Sequence, residues 1–212
     1  MTSSSESQFD RTYFEDGVEQ KVSCYENYRW IPELTIPLAH NLVEYLGIKR
    51  VQRILDFGCA KGYLVYAFHL LGYLNTYGYD ISAYAIENSP SEIERFLMLR
   101  DTTAWGSSGH PYRDLDFVIA KDVLEHLSRG ELAKTLKALR GDTEKLFAVI
   151  PLGREGRYLS ERDNLDVTHE ICESSEWWLE EFRLRGFTVK DFAEQLWFLK
   201  NGRKGFGYFT LT

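Results

Sequence analysis

One segment constrains this chain more than any other: the apolar run RILDF, residues 53–57, which passes straight into Gly58 and reaches a second glycine at Gly62. An apolar run of that length reads as a buried strand. Glycines directly after it permit a tight turn, because a Cβ would obstruct the bend. Helical spacing then spans residues 62–71 and closes at Gly72, and a second strand over residues 75–79 ends at Asp80. The pattern repeats downstream: a strand at 116–120, a helix carrying Leu132, Leu136 and Leu139 and ended by Gly141, and a strand at 145–150 broken by Pro151. Nearly all-apolar strands alternating with helices predict an α/β fold, a parallel sheet covered on both faces.

The flanks differ in character. Residues 1–8 are small and polar and are expected to be a disordered tail. Residues 9–46 are expected to form an N-terminal helical cap or lid on a core of residues 47–212. In the cap, an aromatic-rich stretch over 9–30 predicts one or two short helices. Leu34, Leu38, Leu42 and Leu46 recur at intervals of four and predict a helix over 32–46, ended by Gly47. Ile81 and Ser82 open another helical stretch. The segment after Pro90 is read as a helix or a third strand, and residues 105–111 as a loop. Near the end, Ser174 and Ser175 cap a helix with Trp178 and Phe182 on one face, ended by Gly186. Residues 187–192 and 195–200 look strand-like, and a turn at Asn201-Gly202 leads into an alternating strand at 206–211, so the sheet should end in an antiparallel pair.

Composition narrows the partners. The formal charge is −7, from 25 basic and 32 acidic side chains. That balance argues against a duplex-DNA binder, which needs clustered Lys and Arg, and favours a small-molecule substrate. Cys24, Cys59 and Cys172 are odd in number and far apart, which implies neither a disulfide framework nor a thiolate-rich zinc site. No apolar run approaches the roughly 18 residues of a membrane span, and the first residues lack a secretory pattern, so the cytoplasm is the expected compartment. Oligomeric state is not fixed by these features.

Asp80 lies 24 residues after Asp56, close to the ~20-residue spacing at which a carboxylate at the end of the next strand accepts ribose hydroxyls. Asp56 itself stands two positions before the first glycine, where it would repel a pyrophosphate but favour a ligand carrying an amine and a sulfonium. The pair therefore favours S-adenosylmethionine over NAD as cofactor. LDFGCAKG (residues 55–62), YGYDIS (77–82), FVIAKDVLEHL (117–127) and DVTHEICESSEWW (166–178) together resemble the class I S-adenosylmethionine-dependent methyltransferases, small-molecule branch. Ala60 stands where that family carries glycine.

The resemblance implies a Rossmann-like, doubly wound, mostly parallel seven-stranded sheet with a C-terminal antiparallel hairpin. It places backbone of Gly58, Cys59, Ala60 and Gly62 around the methionine part, with Asp56 at its ammonium and Lys121 nearby. It places Asp80 at the ribose, Ile81 beside the adenine, and the pair Asp101 and Thr102 at the adenine edge. Asp122, Glu125 and His126 would line or brace the substrate cavity. The implied activity is methyl transfer to oxygen or nitrogen of a small metabolite or sugar-type acceptor. Two readings stay open beside it: an NAD-dependent oxidoreductase, and a non-catalytic methyltransferase-fold partner of another enzyme.

Methyl transfer to a protonated acceptor needs a proton acceptor near neutral pH, and imidazole fits. Of five histidines, His40 and His69 sit in predicted helices and His110 in a polar loop. His169, in the loop three residues after Asp166, is the preferred base, and His126, four residues after Asp122 on one helical face, is the second candidate. Asp122, Glu125, His126, Asp166, His169 and Glu170 offer ligand atoms, but their spacing enforces no metal geometry, and no metal is expected.

Overall fold

The structure is a computed structural model that describes residues 8–99 and 114–212. The N-terminal segment forms two short helices, α1 (Arg11–Glu15) and α2 (Gly17–Gln20), before α3 (Pro32–Leu46). The helix expected over 32–46 thus has those bounds, with Pro32 at its first turn and Gly47 in the left-handed conformation that ends it. The core continues with β1 (Ile54–Phe57), α4 (Tyr63–Leu70), β2 (Thr76–Asp80), α5 (Ala83–Glu87) and β3 (Leu97–Leu99). After the second described stretch begins come β4 (Leu115–Lys121), α6 (Arg129–Asp142), β5 (Thr143–Pro151), and the small hairpin β6 (Gly153–Arg154) and β7 (Arg157–Tyr158). The chain then forms α7 (Ser175–Leu184), β8 (Val189–Ala193) and β9 (Phe206–Leu211).

Seven strands make one sheet in the order β3-β2-β1-β4-β5-β9-β8. The first five are parallel, while β9 runs antiparallel between β5 and β8. This is a mostly parallel, doubly wound, Rossmann-like sheet closed by an antiparallel hairpin. Successive side chains of a strand face opposite sides, and the two sides bury separate clusters. Leu55, Phe57, Val118, Ala120, Leu146, Ala148 and Ile150 pack with Leu136, Trp178 and Phe182 of α6 and α7. Ile54, Phe117, Ile119, Phe147 and Val149 pack with Leu42 and Phe68 of α3 and α4. Coverage on both faces is why the strands read as unbroken apolar runs.

Three local expectations are corrected. Residues 195–200 are not a strand: they form a turn with Trp197 75% exposed, and β8 takes the place beside β9. Leu196, Phe198 and Leu199 pack on the α3–α4 side, so their spacing reflects loop packing rather than a pleat. Gly141 does not end α6, which runs through Asp142 directly into β5. Asp122 and His126 do not share a helical face either. Asp122 adopts a left-handed conformation (φ 55°), and only the single turn Leu124–His126 follows.

Candidate cofactor and acceptor cavity

Parallel pairing sets Phe57 level with Tyr79 on one side and with Ala120 on the other. The C-terminal ends of β1, β2 and β4 therefore open on one edge, where ligands of such sheets bind. Residues just beyond those ends form the wall of a cavity of about 440 Å³, within the roughly 300–1,000 Å³ usual for small-molecule sites.

Packing shapes the turn after β1. Gly58 (φ 80°) faces Val123, and a Cβ there would meet a valine methyl at 2.5 Å. A Cβ on Gly62 (φ 72°) would meet Ile93 and Leu97, both at 2.7 Å. Between them Ala60 also takes a left-handed conformation (φ 50°), which costs a non-glycine residue roughly 1–2 kcal/mol. Its amide donates to Asp80 Oδ2 at 2.6 Å and ties the turn to the end of β2. Asp80 Oδ1 accepts from the Ser82 amide at 2.8 Å, and the Ser82 hydroxyl caps α5.

Asp56 and Asp80 are both buried on this wall, with Lys121 opposite Asp56. Burial pushes the Asp56 carboxyl up to about 7, with Lys121 countering and Asp80 adding to the rise. Burial also raises Asp80, against the backbone amides that favour its charged form. Two buried carboxylates of raised pKa have an uncompensated preference for a cation. Lys121 is held 2.7 Å from Asp122, which also pairs with Lys200. Burial opposes the charge on Asp122, but the two lysines outweigh it and hold its carboxyl below the usual range.

An imidazole pair also meets this cavity through one of its rings. His126 is on the wall, and its Nδ1 is 2.8 Å from Thr168 Oγ1. The Thr168 hydroxyl places its one proton on Asp166 Oδ1, at 2.6 Å. His126 Nδ1 is therefore the donor to Thr168, which leaves the Nε2 lone pair free. Burial, then the neighbouring His169, push His126 down to about 4. His169 lies behind His126 with ring centroids 4.5 Å apart, and its own pKa is lowered chiefly by burial. Its Nε2 is 3.9 Å from Asp166 Oδ2, and its Nδ1 has no partner among the described residues.

The N-terminal segment roofs the cavity with Phe9, Tyr13, Phe14, Tyr25 and Tyr28. Polar contacts fasten it: Tyr13 donates to Asp166 Oδ2 at 2.9 Å, the Ser82 hydroxyl to Phe9 carbonyl at 2.5 Å, and Lys61 pairs with Glu15 at 2.5 Å. Lys61 also donates to the Tyr28 carbonyl at 2.9 Å.

Of the residues singled out from sequence, Asp56, Gly58, Cys59, Ala60, Asp80, Ile81, Lys121 and His126 line one cavity. Gly62 lies behind the wall at the start of α4, and His169 behind His126. Asp101, Thr102 and His110 fall outside the described residues. Sequence reasoning missed Thr168, Tyr13 and the Glu15–Lys61 pair. A signal existed for Thr168: the D-x-T spacing forms a local turn, with the Thr168 amide donating to Asp166 Oδ1 at 3.0 Å.

A doubly wound sheet of this order, with carboxylates bracketing a glycine turn at its C-terminal edge, defines a class I S-adenosylmethionine-methyltransferase-like protein. A family model described as methyltransferase domain matches residues 30–152, more than half of the chain, and the chain belongs to that family. No curated protein matches it. Among solved structures, the glycopeptide N-methyltransferase MtfA complexed with sinefungin is similar at TM-score 0.61 and 12% identity, covering 84% of this chain and 93% of that one. An S-adenosylmethionine-dependent methyltransferase from Clostridium acetobutylicum is similar at TM-score 0.62 and 11% identity, over 86% of this chain and 92% of that one. The [4+2]-cyclase SpnF is similar at TM-score 0.64 and 15% identity, over 83% and 80%. Identities this low establish a shared fold, and a fold by itself does not fix a reaction.

Proposed function

We propose that this protein transfers a methyl group from S-adenosylmethionine to an oxygen or nitrogen of a small metabolite or sugar-type acceptor. The observation that carries the reading is the pair of buried carboxylates, Asp56 and Asp80, set on either side of the glycine turn and facing one cavity. The cofactor supplies a methyl group on a sulfonium, which leaves as a neutral thioether and needs alignment more than activation. In this reading Asp56 takes the ammonium, Asp80 the ribose hydroxyls, and backbone of Gly58, Cys59 and Ala60 lies along the methionine part. Ile81 flanks the adenine, Lys121 holds Asp122 in place, and the aromatic roof of residues 9–31 excludes water while the methyl moves.

The acceptor enters beside His126. His126 Nε2 accepts a hydrogen bond from its O–H or N–H and receives the proton as the new bond forms, while His169 and the Thr168–Asp166 pair position the ring. A weak base suffices there, because the acceptor atom becomes strongly acidic as it is methylated. That the [4+2]-cyclase SpnF has a similar fold makes the test one of ligand as well as fold. Titration calorimetry with S-adenosylmethionine and its demethylated product is expected to show micromolar or tighter binding. Asp80→Ala is expected to weaken it at least tenfold with native circular dichroism. No heat with either ligand would sink the reading.

A further inference from the structure

Glu125, His126 and His169 bring one ligand atom each within 4.8 Å of one another. Glu125 is 1% exposed, and among the described residues its Oε2 has no hydrogen-bond partner. His169 Nδ1, on a side chain 5% exposed, has none either. One imidazole nitrogen and one carboxyl oxygen of the trio are thus buried without a partner among the described residues. Such groups are ordinarily satisfied in a native interior. A protein donor could serve one of them, but a cation serves all three atoms at once.

We infer that Glu125, His126 through Nε2 and His169 through Nδ1 form a binding site for a divalent first-row transition metal ion on the His126 side of the cavity. Two nitrogens and one carboxylate oxygen favour the manganese-to-zinc series over magnesium or calcium, which prefer an all-oxygen shell. The surroundings are those a metal site requires beyond its ligands. Thr168 fixes the His126 tautomer by accepting from Nδ1, and so leaves Nε2 for the ion. Asp166 holds Thr168 through Oδ1 and lies 3.9 Å from His169 Nε2 through Oδ2, so one carboxylate steadies both rings. Tyr13 and the Thr168 amide hold Asp166 in turn. Ligands on a tetrahedral ion at about 2.1 Å stand about 3.4 Å apart. The trio is therefore open by at most roughly an ångström and a half, within reach of side-chain torsions.

His126 is the one ligand of the three on the cavity wall. The ion would therefore meet an acceptor oxygen or nitrogen from the cavity side, where it would lower that group's proton affinity. It would occupy the lone pair that otherwise receives the proton, so the ion-bound and ion-free proteins divide the same task differently. The inference concerns metal binding and does not depend on methyl transfer.

The test uses the full chain stripped with a chelator, then dialysed against cobalt(II), zinc(II) or magnesium(II) chloride. Wild type is expected to take up one equivalent of cobalt(II), with a ligand-field absorption band of a nitrogen-containing site, and to gain thermal stability with zinc(II). Glu125→Gln and His169→Ala are each expected to weaken uptake at least tenfold. Thr168→Val, which keeps the ligands and loses only the orienting hydroxyl, is expected to weaken it less and to shift the band. No saturable uptake by wild type would overturn the inference. So would uptake unchanged in Glu125→Gln, a variant that retains size and shape, or a preference for magnesium(II). Binding of the demethylated cofactor, measured on the same samples, separates failure here from failure of the methyl-transfer reading.

Discussion

Asp56 is the residue whose chemistry is most exposed to measurement. Its carboxyl is pushed up to about 7 by burial, so the protein without ligand holds a proton there through the acidic range. A ligand ammonium requires the charged form, and binding must expel that proton. Affinity for S-adenosylmethionine is therefore expected to rise with pH up to about 7 and then level off, with pH 5.5 roughly twentyfold weaker than pH 7.5. The folded protein without ligand has the opposite slope. A raised carboxylate pKa contributes stability that is full below the unfolded value and is lost as pH rises through about 7. Calorimetry across pH, repeated on Asp56→Asn, checks both signs: the variant should bind weakly with a flat profile. A wild-type profile as flat as the variant's would remove Asp56 from the ammonium site. The place of Asp56 and Asp80 on the cavity wall was legible in the sequence because a parallel strand delivers its last residues to the C-terminal edge of the sheet. Which of the two histidines reaches the wall was not legible, because His126 owes its place there to a left-handed turn at Asp122 and its tautomer to Thr168, from a loop 42 residues away.

Among the elements, the segment from α1 to residue 31 is held over the cavity by buried aromatic rings and a set of polar contacts. Glu15 accepts from both Lys61 and Tyr84, and Lys61 belongs to the turn that touches the cavity. The pair is substantially buried, with side chains 17% and 7% exposed. Removing the charge leaves the Lys61 ammonium short of a partner in a desolvated place. Glu15→Gln is expected to accelerate amide exchange across residues 9–28 about tenfold or more while leaving exchange in β1, β4 and β5 unchanged, with cofactor restoring part of the protection. Exchange that rises equally in the roof and the central strands would show that the contact supports the whole domain rather than a cover. The sequence showed the aromatic content of this segment but not its partner, since Glu15 and Lys61 are 46 residues apart with no periodic relation. The misplaced strand at 195–200 has the same origin: apolar residues in a loop that packs down imitate a pleat.

Over the whole molecule, stability resides in the two apolar layers on either side of the sheet. Phe209, fully buried in β9, meets Phe182 of α7 with ring centroids 5.2 Å apart and Phe192 of β8 at 5.0 Å. Phe209→Ala should therefore cost about 3–5 kcal/mol. Val51→Thr, at a site 80% exposed, should stay within about 0.5 kcal/mol. Urea unfolding of both variants reads the difference, and near-equal midpoints would mean that β9 contributes little to the cooperative core. The strand order adds a temporal constraint. β8 precedes β9 in the chain but, among the described residues, pairs with the sheet through β9 alone. An emerging polypeptide thus holds a completed strand with nowhere to dock, and the rim of β5 stays bare until the later strand slots between them. A nascent chain halted between residues 193 and 206 would carry an unsatisfied sheet margin, the kind that recruits chaperones or pairs with a neighbour.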